Sequence, residues 1–224
     1  MEKAELMELI ARINTRDENC TVSTESTSWK ALREAETLAD PALFPLLREI
    51  IMENEGKGKA KREVRRGAYF IYGRLMEKVF SPAEAPFFLG RLTVETDKYV
   101  LSSILDRISD WGRKGFRLPA EMDFSPILVL TVDDRRPVRH DALRALSACP
   151  GEESRKACAS YLEREDEKTW QYEIYYANIA LQTIGEPPDI PLLERFLKSR
   201  RPDLKLTAQY AIQYIRERDS GLPG

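Results

Sequence analysis

Apolar positions along this 224-residue chain recur at intervals of three, four and seven, the period of a helix with one buried face. The clearest pattern comes back three times with small residues at its centre: Ala142, Ala145 and Leu146; Ala177, Ala180 and Leu181; Ala208, Ala211 and Ile212. Successive first alanines lie 35 and 31 residues apart. That is the length of one helix-turn-helix unit, and such units bury their apolar faces by stacking into solenoids. Walking back from Ala142 gives further anchors at Ser103, Ala68 and Ala35, with intervals of 39, 35 and 33 residues. Each anchor is assigned to the second helix of its unit, with Leu75, Ile184 and Ile215 seven residues on keeping the same face. An alanine pair three apart lets the neighbouring helix approach closely.

The pattern predicts an all-α fold of six helix pairs, near 3–14 and 28–39, 41–53 and 61–78, 82–94 and 97–111, 125–132 and 137–148, 152–165 and 169–184, and 189–199 and 203–217. Asp40-Pro41, Ser81-Pro82 and Ser125-Pro126 each put a capping side chain before a proline suited to the first helical position. Ser81 with Glu84 fits a capping box, and Asp189 follows Pro187 and Pro188 as a further cap. Residues 14–27 and 112–123 break the helical spacing and are expected to be irregular. One domain over 1–219 and a tail over 220–224 result, the tail being too poor in apolar residues to order itself.

Composition adjusts this picture little. Charged residues make up 32% and the formal charge is only −2, so no global field draws the chain to DNA or to a membrane. No apolar run approaches the roughly 18 residues needed to cross a bilayer, and the N-terminus mixes charges with helically spaced apolar residues, so a cytoplasmic location is expected. Three cysteines, Cys20, Cys149 and Cys158, form no CxxC pair. They argue against a disulfide framework and a zinc site, and Cys149 and Cys158 read as small core residues.

Two of the second helices open with Val-Arg, as Val64-Arg65 and Val138-Arg139, the latter after Asp133, Asp134 and Pro137. With the alanine a few residues later, this resembles the HEAT repeat from about Ala35 onward, though not around Ser103, where Val-Arg is absent. The resemblance implies a right-handed α-α superhelix of about six HEAT-like hairpins, with second helices lining a concave surface. It also implies that Arg139 pairs structurally with Asp133 or Asp134. It says little about function, because such arrays serve scaffolds, receptors and enzymes alike.

The face opposite the buried stripe lies two residues before, two after and five after each anchor. It selects Arg66, Phe70, His140, Arg144, Tyr175, Ile179, Tyr210 and Gln213 as candidate partner-binding residues. Tyrosine and arginine are the residues that interface hot spots use. His140 is the only histidine and lacks a GxSxG nucleophile motif, so it reads as a groove or surface residue. No catalytic residue, metal site or cofactor is expected. The cluster Lys57, Lys59, Lys61, Arg62, Arg65 and Arg66, with Arg135, Arg136 and Arg139 and with Arg200, Arg201 and Lys205, would make a cationic ridge, interrupted by the acidic turn at Glu163, Glu165, Asp166 and Glu167. Residues 1–55 carry a net −6, which can steer a protein partner.

The leading expectation is a non-enzymatic scaffold that binds a protein or peptide on its concave surface, in a more specific form a bacterial immunity or regulatory protein. The alternative is a nucleic-acid-binding protein related to the HEAT-like alkylpurine DNA glycosylases, for which Asp106, Asp110, Trp111 and Trp170 supply the residue types. No membrane partner is expected.

Overall fold

The computed structural model describes residues 1–17 and 20–221. Among them are twelve α-helices: α1 Lys3–Ile13, α2 Thr27–Ala35, α3 Leu43–Glu53, α4 Lys59–Val79, α5 Ala85–Val94, α6 Lys98–Arg113, α7 Ser125–Leu130, α8 Arg136–Ala145, α9 Glu152–Leu162, α10 Glu167–Ile184, α11 Ile190–Glu194 and α12 Pro202–Asp219. No strand occurs among the described residues. The chain is an all-α solenoid of stacked pairs. The even-numbered helices pack in sequence, α4 on α6, α6 on α8, α8 on α10 and α10 on α12, while α5, α7, α9 and α11 form the other layer. Of the expected tail, Ser220 completes the end of α12 through a bond from its Oγ to the Glu217 carbonyl at 2.9 Å, and residues 222–224 lie outside the described residues.

The small-residue anchors behave as the pattern requires in α4, α8, α10 and α12, where Ala68, Ala142, Ala177 and Ala208 have no exposed surface. In α6 the register is different. Ser103 is only half-buried, and the stripe with the anchor's spacing that has no exposed surface is Ile104, Ile108 and Trp111. The anchor is therefore Ile104, and the position three later, alanine in α8, α10 and α12, is Arg107. A long side chain fits there because the small residue sits on the neighbouring helix: a Cβ at Gly73 of α4 would lie 2.5 Å from Cγ of Arg107. The Gly73 carbonyl accepts the indole N–H of Trp111 at 3.2 Å, which fixes the same contact from the other side.

The first pair also departs from expectation. It is α1, not α2, that packs on α4, and α2 lies mainly against α1. Arg12 of α1 holds Glu34 of α2 with two bonds, at 2.7 and 2.8 Å. The irregular stretch after α6 is anchored rather than loose: Phe116 stacks on Phe80 with centroids 4.7 Å apart, and the buried Leu118 donates its N–H to the Ala148 carbonyl at 2.9 Å.

Helix starts differ in detail from the sequence reading. Asp40 accepts from the Ala42 N–H, so α3 begins beyond Pro41. Asp123, not Ser125, supplies the oxygen at the head of α7. Ser81 makes no side-chain cap, and the Glu84 carboxylate is taken by Arg48 and by the Tyr72 hydroxyl, so the expected capping box does not form. Asp189 closes a capping box with Glu186, accepting the Glu186 N–H at 2.8 Å. Cys149 and Cys158 are fully buried, and desolvation pushes both thiols far up, as inert core residues require.

Candidate functional site

Helical geometry brings the positions two before and two after each corrected anchor onto one face of the even helices. On α4, α6 and α8 these are Arg66 and Phe70, Ser102 and Asp106, and His140 and Arg144. All but His140 line a cleft of about 530 Å³. The end of α1, with Asn14 and Arg16, and Ser28 and Leu32 of α2 form its first wall. The unusual docking of the first pair thus closes the cleft on that side.

The cleft floor is an ion-pair network. Arg144 Nη2 lies 2.6 Å from Asp106 Oδ1 and 3.1 Å from Asp141 Oδ1. Arg107 pairs with Asp106 and, at 2.7 Å, with Asp110, whose side chain is 4% exposed. Phe70 stands between two guanidinium groups, Arg74 and Arg107, at 5.3 and 5.2 Å from its ring centre. Burial and the charge of Asp106 raise the Asp141 carboxyl above its ordinary value. Asp106 moves the other way: burial works against its ionisation, but Arg107 and Arg144 outweigh it. Two neighbouring carboxylates with opposed shifts show how unevenly this floor distributes its positive charge.

A second groove of about 380 Å³ continues from the first through their common residue Asp141. It is aromatic. Tyr172 and Tyr176, one turn apart on α10, face His140 across centroid distances of 5.8 and 5.0 Å. The Arg136 guanidinium lies 4.5 Å from the Tyr172 ring centre, and Pro137 completes the wall. Below, His140 Nε2 is 3.1 Å from Oε1 of Glu173, which also takes two bonds from Arg139, at 2.9 and 2.7 Å. Desolvation lowers the His140 pKa, and the nearby Arg136 and Arg139 reinforce it against the opposing pull of Glu173. The imidazole is therefore neutral at neutral pH.

Of the sequence-derived site residues, Arg66, Phe70 and Arg144 come together in the first cleft and His140 lies in the second. Tyr175 and Ile179 are half-buried beside it, with Tyr175 edge-on to Tyr176 at 5.2 Å. Tyr210 and Gln213 are exposed on α12, outside both clefts; Tyr210 stacks on Tyr214 at 6.1 Å. Sequence reasoning missed Asp141, Tyr172 and Tyr176, and named Asp106 only for the glycosylase alternative, not as a partner-binding residue. The corrected anchor on α6 would have found Asp106, and Tyr176 and Asp141 sit one residue before their anchors, a position the offset rule did not include.

Part of the expected cationic ridge is neutralised by the fold itself. Arg65 is 3% exposed, sits 2.9 Å from Glu95 and donates to the carbonyls of Asn54 and Gly56. Arg139 repeats that arrangement, bonding to the Asp133 carbonyl and the Glu173 carboxylate; the Asp133 carboxylate is occupied by Arg135. Arg62 pairs with Asp97 at 3.4 Å and Arg201 with Asp203 at 2.8 Å. Trp111 has no exposed surface and Asp110 is held by arginines, so neither is offered to a base in the cleft. Trp170 is half-buried beside Tyr161 and Arg164.

No family model matches the chain, and no curated protein does. Solved structures do resemble it. Two engineered proteins align over 97% of this chain at TM-scores of 0.56 and 0.55, with 17% and 14% identity, covering 98% and 100% of their own lengths. A designed armadillo repeat protein aligns over 94% of this chain and 99% of its own at a TM-score of 0.51 and 16% identity. At these identities the likeness concerns fold alone, and that fold is the helical-repeat solenoid.

Proposed function

We propose that this protein is a non-enzymatic helical-repeat scaffold of the HEAT type that binds a protein or peptide along its even-helix face. The observation that carries this reading is the continuity of the two clefts through Asp141, which joins an arginine-rich floor to a tyrosine wall in one path. Such a path offers flat apolar area with polar tips, the chemistry of interface hot spots. Its carboxylates are engaged with the protein's own cations rather than set as nucleophile and base, and the only histidine faces Glu173 and two tyrosines. The Val-Arg openings act as internal braces in both units that carry them, in keeping with the HEAT resemblance.

Neutralisation of Arg65, Arg135, Arg139 and Arg201 weighs against a phosphate-backbone ridge, since counterion release needs cations left free for the ligand. No helix among the described residues is long and apolar enough to cross a membrane. Affinity capture from the native extract tests the proposal. A partner held by the wild type and by an outer-layer control, Val129→Ala, is expected to be lost by the triple variant Arg144→Ala, Tyr172→Ala and Tyr210→Ala, with unchanged helical circular dichroism. Equal capture by both variants would put the function on another surface.

A further inference from the structure

Charge complementarity narrows what the path accepts. Each carboxylate that lines the first cleft has a cation of the protein beside it: Glu63 has Lys59 at 3.8 Å, Asp106 has Arg107 and Arg144, and Asp141 has Arg144. The cations are not all matched. Among the described residues Arg16 and Arg66 line the same cleft and make no ion pair. The hydroxyl of Ser103 lies on the same wall and can donate to an anion, whereas that of Ser102 is engaged with Asp141. A cationic ligand would meet only carboxylates already engaged. An anionic one would meet two guanidinium groups that make no ion pair among the described residues.

At the other end the walls are Tyr172, Tyr176, Pro137 and His140, with Arg136 laid against the Tyr172 ring and Asp141 at the junction, a mainly aromatic surface suited to an apolar or aromatic side chain. From α4 to α10 the path crosses three helix spacings, about 27 Å at roughly 9 Å each. An extended chain covers that length in about eight residues at roughly 3.3 Å per residue.

We infer, building on the peptide-binding reading above, that the ligand is an extended acidic peptide segment whose carboxylates meet Arg16 and Arg66 and whose apolar side chain, about eight residues away, enters the tyrosine groove. Specificity is thus divided: charge is read at the first end and apolar shape at the second. A nucleic acid would satisfy the anionic end but would need cations repeated along its whole length. Beyond α6 the path offers Arg144, held by Asp106 and Asp141, Arg136 against the Tyr172 ring, and otherwise tyrosines.

The test uses the full chain and three fluorescein-labelled ten-residue peptides with one tryptophan near an end, in which the remaining positions are mainly Glu and Asp, mainly Lys and Arg, or Ser and Gly. Anisotropy is expected to report binding of the acidic peptide alone, weakened by salt. The double variant Arg16→Ala, Arg66→Ala should lose about tenfold in affinity. Tyr172→Ala should lose a similar factor without changing the salt dependence. Preference for the basic or neutral peptide overturns this inference while leaving the peptide-binding reading intact. Binding of none of the three at millimolar concentration, with the protein shown folded by circular dichroism, overturns both. Displacement of the acidic peptide by an equally charged oligonucleotide at the same concentration overturns the assignment to a peptide.

Discussion

On α6 and α8 the cations of the even-helix face, Arg107 and Arg144, are held by Asp106, Asp110 and Asp141, whereas on α10 and α12 the tyrosines Tyr172, Tyr210 and Tyr214 stand 40–43% exposed. The same layer of helices therefore serves different ends in the two halves. In the first half its cations reach inward, and Arg107 even occupies a core position against Gly73. In the second half Ala177, Ala180, Ala208 and Ala211 pack the helices closely and leave the face itself free of structural duty. The contrast teaches that one helix layer can serve as a brace in one stretch and as a solvent-facing surface in the next, according to which of two neighbouring helices carries the small side chain.

Removing the brace gives the largest expected effect. Arg107→Ala leaves Asp110 deeply buried with fewer cations, and breaking a buried ion pair costs about 3–5 kcal/mol. Urea denaturation followed by circular dichroism should show the midpoint fall accordingly. A loss below about 1 kcal/mol would mean that the network is dispensable and the contrast unfounded. Next comes Gly112→Ala, whose new Cβ would lie 2.5 Å from the Ser147 carbonyl carbon and 2.7 Å from the Ala148 nitrogen. Backbone there cannot yield as a side chain would, and overpacking of this kind costs about 1–3 kcal/mol.

A third experiment probes the boundary between the halves. The folded His140 pKa lies below its unfolded value, so the unfolded chain binds the proton more readily. This contribution to stability is complete above the unfolded value near 6.5 and is lost as pH falls through it toward the folded value. His140→Gln should flatten that part of the thermal-stability profile; an unchanged slope would show that the imidazole does not titrate differently on folding. The smallest effect is expected at the free end, where Tyr210→Ala and Tyr214→Ala together should change stability by less than about 0.5–1 kcal/mol in the same denaturation experiment. A larger loss would make those tyrosines structural and blur the distinction.

The helix pairs were legible because burial repeats with helical period, and Ala68, Ala142, Ala177 and Ala208 lie where that period puts them. Ser103 misled because the buried position three after the anchor on α6 holds an arginine, and a charged residue in sequence reads as solvent-facing. Only Gly73, 34 residues earlier on another helix, makes room for it. The docking of α2 on α1 was illegible for a similar reason: periodicity says that a face is buried but not which neighbour buries it. Within the site, Arg66, Phe70, Arg144 and His140 followed from offsets on one helix. Tyr172 and Tyr176 gain their role from Arg136 and His140 on the adjacent helix, a relation that exists only after stacking.

The first helix pair, turned so that α2 walls the cleft, gives the path a blind end. A trough open at both ends lets an extended chain slip by a repeat and bind in several frames of similar energy. A blind end abolishes that freedom, because a chain that reaches Ser28 and Leu32 must stop or turn there. On the peptide-binding reading proposed above, α2 would give such a ligand a fixed origin, as the zero of a ruler does.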